Sequence, residues 1–119
     1  MTKRNRIIIE KIIQEIDEAK LIIRDIDLPI FLQSEIHKRA VCMTLLNVGE
    51  LVKNLTSDFR LLHDHVPWKD FSGFRDVAAH GYFTIRMEAV WGYVVNDAFN
   101  LAELLTDILK SDDENDVMD

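Results

Sequence analysis

The sequence predicts an all-α protein: an antiparallel bundle of three long helices plus one short connecting helix. Three observations carry that prediction. Apolar residues recur at three- and four-residue steps in three separate stretches, which is the mark of helices with one buried face. Only four Gly and two Pro punctuate 119 residues, too few for the regular turns of a many-stranded β protein. The composition, 48% hydrophobic and 29% charged, sits at the globular mean. It excludes a disordered or fibrous chain, and a domain of this size buries roughly two-thirds of its unfolded surface.

The first helix is expected from about residue 4 to about 26. Ile9, Ile12, Ile13, Ile16, Ala19, Ile23 and Ile26 form its apolar row, with Glu10, Gln14, Asp17 and Glu18 between them. β-Branching lowers the helix propensity of isoleucine, so packing must hold this segment, and Pro29 is expected to stop it. The second helix opens near Ser34, a suitable N-cap. Its seam, Val41, Leu45, Val48, Val52, Leu55, Phe59 and Leu62, alternates steps of four and three without a slip. A second apolar row, Ile36, Ala40, Met43 and Leu51, lies off that seam. A helix apolar on two sides needs two neighbours, and one of them is expected to be another copy of the chain. The last long helix is expected after Thr84, with Met87, Val90, Trp91, Val94, Ala98, Leu101, Leu105 and Ile108 at the same spacing, ending near Lys110. A short helix around residues 70 to 80 joins the second and last long helices.

The formal charge is −7, from 14 Lys plus Arg against 21 Asp plus Glu. Five of those acids, Asp112, Asp113, Glu114, Asp116 and Asp119, follow Lys110 with no basic residue among them. The other 16 against 14 basic residues leave residues 1 to 110 at only −2. Residues 1–110 are therefore expected to form the bundle domain and 111–119 an acidic, disordered tail. The acidity argues against diffuse nucleic-acid binding, which shows as a basic excess. A single cysteine, Cys42, permits no internal bridge and matches no paired-thiolate metal site, which suits a reducing compartment. The basic start Met1–Arg6 and Ile7–Ile9 imitate a signal peptide, but Glu10, Lys11 and Glu15 interrupt it. No stretch approaches the roughly 18 apolar residues that cross a bilayer, so no membrane partner is expected and the location is expected to be cytoplasmic.

Residues 66 to 82, Val-Pro-Trp-Lys-Asp-Phe-Ser-Gly-Phe-Arg-Asp-Val-Ala-Ala-His-Gly-Tyr, break the amphipathic pattern. They concentrate aromatic, glycine and ionisable residues. The plain account is a helical corner in which Pro67 ends one helix, Gly81 caps the next and the aromatics fill the end of the bundle. Arg75, four residues, His80, Gly81 and Tyr82 also resemble the signature of the HEPN superfamily, and specifically of HepT-like toxins: Arg, four residues, His, any residue, Tyr. Arg39-Ala40-Val41, Gly49-Glu50, Pro67-Trp68, Val90-Trp91 and Asn96-Asp97 resemble the same family in order, over roughly residues 5 to 110.

That resemblance implies a compact helical homodimer whose Arg75 and His80 form a metal-independent endoribonuclease site. It implies a nucleotidyltransferase antitoxin as partner, which transfers AMP to Tyr82, and RNA as substrate. No cofactor is expected. On a helix, the five steps from Arg75 to His80 rotate by about 140°, so one chain would not present both on one face. A dimer that sets two such segments side by side would bring both pairs into one cleft. Asp76 lies one i, i+4 step from His80 and would fix its tautomer and raise its pKa. It also sets a negative charge by the phosphate, which Lys69, Arg60 and Arg86 would offset. Gly81 is expected to end the helix in a left-handed turn and leave the Tyr82 phenol accessible on a loop.

His63 and His65 stand two apart and would point to different sides of a helix, so no metal site is expected. Trp68 and Trp91, at helical spacing among apolar residues, read as core rather than as base-stacking platforms. Two alternatives to the toxin ribonuclease stay open: a catalytically inactive HEPN-like subunit that binds a nucleotide or a partner, and a purely structural dimerisation bundle.

Overall fold

A computed structural model describes the backbone of residues 1–74 and 81–118, with side chains up to Glu114. Among the described residues all regular structure is helical. Helix α1 (Lys3–Ile23) begins at Thr2, whose hydroxyl accepts the Asn5 N–H at 3.1 Å. It buries Ile8, Ile9, Ile12, Ile16, Ala19 and Ile23; of the row anticipated from the sequence, Ile13 and Ile26 are only partly buried. The helix ends three residues earlier than expected. Pro29 does not stop it but sits in the first turn of α2 (Leu28–Gln33), where the missing N–H costs nothing. Asp27 caps α2 by accepting the Ile30 N–H at 3.1 Å, and Phe31 is fully buried against Trp91 at 5.2 Å.

Ser34 is the N-cap of α3 (Glu35–Asn54), accepting the His37 N–H. The seam Val41, Leu45, Val48 and Val52 is buried as predicted. The expected unbroken helix to Leu62 is corrected: Leu55 is extended, and a separate α4 (Ser57–Leu62) follows. The cause lies in α1. Buried Asn5 donates to the Thr56 hydroxyl at 2.9 Å and accepts the Thr56 N–H at 3.3 Å, taking the donor that a continuing helix would use. Leu55 and Phe59 remain buried across the break, whereas Leu62 is exposed.

α5 (Trp68–Ser72) leads toward the Arg75 motif. Trp68 is core, as expected, and its indole N–H donates to the Arg60 and His63 carbonyls at 3.1 and 3.0 Å, closing the end of α4. The last helix, α6, is continuous through three segments: α-helical Met87–Gly92, π-helical Tyr93–Ala98 and α-helical Phe99–Met118. Its buried row is Val90, Val94, Ala98, Leu101, Leu105 and Ile108. Thr84 does not cap it. Arg86 stands at the N-cap without a side-chain bond, and the Thr84 hydroxyl instead donates to Gly81 O at 2.8 Å.

Pairings along the helices give their directions. Asn5 meets Thr56 and Glu15 meets Asn47, so α3 runs antiparallel to α1. Arg6 meets Asp112 and Lys20 lies over Phe99, so α6 does too. The helix also runs past Lys110 to Met118, where a disordered tail was expected. Arg6 holds that extension with a fork, at 3.1 Å to Asp112 and 2.7 Å to Asp113. None of the described helices is long and apolar enough to cross a membrane.

Candidate functional site

Arg75, Asp76 and His80 lie outside the described residues. Their flanks are described, and two elements fix them. On the N-terminal side, α5 presses directly on α3. A Cβ built on Gly49 would stand 2.7 Å from the Phe71 carbonyl oxygen, so only glycine permits this approach. From the other side Tyr93, first residue of the π-helical segment, donates its hydroxyl to Asp70 O at 2.7 Å. Its ring packs on Phe71 at 5.1 Å and stacks on Phe74 at 6.2 Å. Burial, with Asp70 and Asp97 nearby, pushes the Tyr93 phenol far up, so it stays a donor at any ordinary pH. The widened turn falls where α6 meets the motif's approach, a common placement for such segments.

On the C-terminal side Gly81 has φ 159° and ψ 99°, and a 3₁₀ turn, Tyr82–Thr84, follows. The expected left-handed cap on Gly81 is thus replaced by a more open positive-φ backbone, in which an added Cβ would come within 3.2 Å of the Thr84 hydroxyl. The expectation of an accessible phenol is corrected as well. The Tyr82 oxygen is covered from solvent, with the Glu35 carboxylate nearby. The turn folds the ring inward onto α3, and the neighbouring Phe83 takes the exposed place at 88%. Burial, then the Glu35 carboxylate, raises the Tyr82 pKa.

The group that meets Tyr82 is one the sequence did not single out for a role. Arg39 on α3 places its guanidinium 4.8 Å from the centre of the Tyr82 ring, a cation–π contact. Glu35 pairs with Lys38 at 2.8 Å and with Arg39 at 3.4 Å. Lys38 chiefly, with Arg39 adding, holds the Glu35 carboxyl below its usual range. Arg39, Gly49 and Tyr93 act across the fold, so periodicity could not reveal them. Only the family-like Arg39-Ala40-Val41 and Gly49-Glu50 strings signalled two of the three.

The other candidates separate. Arg60 and Lys69 line a groove of about 520 Å³ between α4 and α5, together with Leu61, Pro67, Trp68 and the acids Asp64 and Asp70. Arg86 is exposed at the start of α6. The His63 and His65 rings stand 6.0 Å apart, edge to face. Burial, then the neighbouring His65, lowers the His63 pKa. Among the described residues no group of three or more His, Cys, Asp or Glu is gathered as metal ligands would be. Cys42 is buried on α3, which pushes its thiol up to about 11 and leaves it no nucleophile at neutral pH.

On α3, the off-seam row divides: Ala40 and Leu51 are half-buried, whereas Ile36 and Met43 stand in the open. Ile36 is 81% and Met43 58% exposed, against complete burial of Val41 and Val48 on the other face. The Arg39–Tyr82 contact borders this row.

Comparison with known proteins places this architecture. A relative from Caldanaerobacter subterraneus subsp. tengcongensis, which carries a provisional RNase name, is 31% identical over 110 residues, spanning 92% of this chain and 98% of its own. A similarly named protein of Methanocaldococcus jannaschii is 37% identical over 91 residues, covering 73% of this chain and 74% of its own. A "probable ribonuclease HepT" of Thermococcus cleftensis is 30% identical over 97 residues, 82% of this chain and 88% of that one. No solved structure matches. The family model described as ribonuclease HepT-like matches residues 12–108, a span that takes in α3, the motif corner and most of α6, and the chain belongs to that family.

Proposed function

We propose that the protein is a metal-independent endoribonuclease and the toxin of a two-component module. The observation that carries this is the family match over residues 12–108, inside which Arg75, four residues, His80, Gly81 and Tyr82 stand in the family's order. The geometry of the flanks supports it. Gly49 and Tyr93 hold the approach to Arg75, and the turn after His80 is docked on α3.

In this reading two copies associate through the exposed α3 row, and Arg75 and His80 of both line one groove. The 2′-hydroxyl of the RNA attacks the adjacent phosphorus while the P–O5′ bond breaks. The 2′-hydroxyl proton leaves to a base, and the departing 5′ oxygen receives one from an acid. The products are a 2′,3′-cyclic phosphate and a 5′-hydroxyl. His80 serves as base or acid, since imidazole titrates near neutrality. Arg75 holds the phosphate with its planar fork and stabilises the charge that develops on it. Asp76 orients the imidazole.

Neutralisation follows from Tyr82. A nucleotidyltransferase antitoxin joins its phenol oxygen to the α-phosphorus of ATP, releasing pyrophosphate and a proton. The added phosphodiester then excludes RNA from the neighbouring His80. Because the phenol oxygen is covered, the 81–85 segment must open for this transfer.

Purified protein is expected to cleave RNA in the presence of EDTA and leave cyclic phosphate ends. His80→Ala and Arg75→Ala should each lower cleavage by about 100-fold or more without loss of helicity. Undiminished cleavage by both variants would refute the assignment. Expressed alone, the protein should arrest growth, and a neighbouring nucleotidyltransferase should relieve the arrest. Tyr82→Phe should stay toxic beside that partner; if the partner still silences it, neutralisation takes another route.

A further inference from the structure

We propose that Arg39 is a phosphate subsite for the RNA backbone, built beside the catalytic motif from a different helix; this rests on the ribonuclease reading. The position comes first. Tyr82 is the last residue of the motif, two residues from His80, and the Arg39 guanidinium lies over its ring at 4.8 Å. A cation carried by α3 is thereby fixed at the motif's end.

The state of that cation points to an anionic ligand. The Arg39 side chain, although over the ring, is 59% exposed and so reachable from solvent. A guanidinium held over an aromatic ring loses less freedom when it takes a ligand, and its planar N–H fork suits a phosphate. Of the other basic residues on α1 and α3, Lys20 meets Asp17 only at 3.9 Å and lies over Phe99, whereas Arg6 and Lys38 are engaged more fully than Arg39. Arg6 is clasped by Glu10, Asp112 and Asp113, and Lys38 meets Glu35 at 2.8 Å. Arg39 meets the same carboxylate only at 3.4 Å.

The charge of the whole chain gives this local arrangement its purpose. A protein with net charge −7 does not attract RNA at long range, so it needs discrete cations at the cleavage groove. Of the basic residues picked from sequence, Arg60 and Lys69 share their groove with Asp64 and Asp70, which leaves exposed Arg86 as the remaining cation of that set. Glu35 acts as a resident stand-in for the phosphate. An RNA phosphate displaces it from Arg39, while Lys38 keeps the carboxylate.

The test uses the intact protein and a fluorescent RNA oligonucleotide that is 2′-O-methylated throughout and so cannot be cleaved. Anisotropy gives Kd across a series of salt concentrations. Arg39→Ala should weaken binding about tenfold and reduce the salt slope by about one per copy, whereas Arg39→Lys should keep most of the slope. Glu35→Gln should tighten binding several-fold, and only when Arg39 is present. A residue that merely latches Tyr82 predicts the opposite for Glu35→Gln, which would loosen the latch without gaining RNA. Unchanged affinity and slope in Arg39→Ala would overturn the subsite. So would equal tightening by Glu35→Gln in the Arg39→Ala background. If Arg39→Ala loses helicity, the Arg39→Lys and Glu35→Gln measurements decide. Cleavage of unmodified RNA by the wild type separates the two readings: if it cleaves with unaltered KM in Arg39→Ala, only the subsite falls, and if the wild type neither binds nor cleaves RNA, the ribonuclease reading falls with it.

Discussion

The two faces of α3 carry the same kind of side chain to opposite fates. One face, Val41, Leu45, Val48 and Val52, is at most 2% exposed beneath α1. The other presents Ile36 and Met43 to solvent and carries Arg39 to the motif tyrosine. The first is a folding surface and is complete within one chain. The second leaves Ile36 and Met43 uncovered among the described residues, and in the reading proposed above it is the surface that meets a second copy.

Substitutions on the two faces should therefore differ in kind as well as size. Leu45→Ala empties a fully packed site and should cost about 2–5 kcal/mol of stability. Denaturant melts would register this as a lower midpoint at unchanged slope. Next in size is the contact between α3 and α5. Gly49→Ala must push a Cβ against the Phe71 carbonyl, because the obstacle is backbone and cannot swing aside. It should cost about 1–3 kcal/mol and reduce cleavage further than its stability loss explains. The control is Gly92→Ala in α6, where a Cβ meets nothing within 4 Å and helix propensity favours alanine by up to about 1 kcal/mol. Equal destabilisation by both would remove the close-approach argument. The smallest effect belongs to Ile36→Ala, which should change the stability of a single chain by no more than about 0.5 kcal/mol. A loss as large as that of Leu45→Ala would erase the contrast between the faces.

How far the sequence reveals this molecule follows from the range over which each feature is determined. The buried rows of α1, α3 and α6 were legible because helical period and apolar identity are properties of neighbouring residues. Ser34 as a cap was legible for the same reason. The break at Leu55 was not, since Asn5, some fifty residues away, takes the Thr56 amide. The C-terminal extension of α6 was read as a frayed acidic tail because the Arg6 fork that gathers Asp112 and Asp113 is over a hundred residues distant.

The site divides in the same way. Arg75, His80 and Tyr82 are proposed from a spaced string and Asp76 from its single helical step to His80; Arg75, Asp76 and His80 lie outside the described residues. Tyr82 was expected to be open because a glycine before it suggests a loop. In the structure the turn after Gly81 lays the phenol under α3 instead. Tyr93 carries no local signal, and Arg39 carries only the family-like Arg39-Ala40-Val41 string. They matter through what stands opposite them in space.

The central claim is that the exposed face of α3 completes the catalytic groove by meeting a second copy. It is tested most directly by measuring sedimentation and RNA cleavage together for Ile36→Asp with Met43→Asp, two changes at exposed positions that leave the core untouched. The account predicts a helical, thermally stable single chain that no longer self-associates and no longer cleaves RNA. A monomer of this variant that cleaves at the wild-type rate would contradict it.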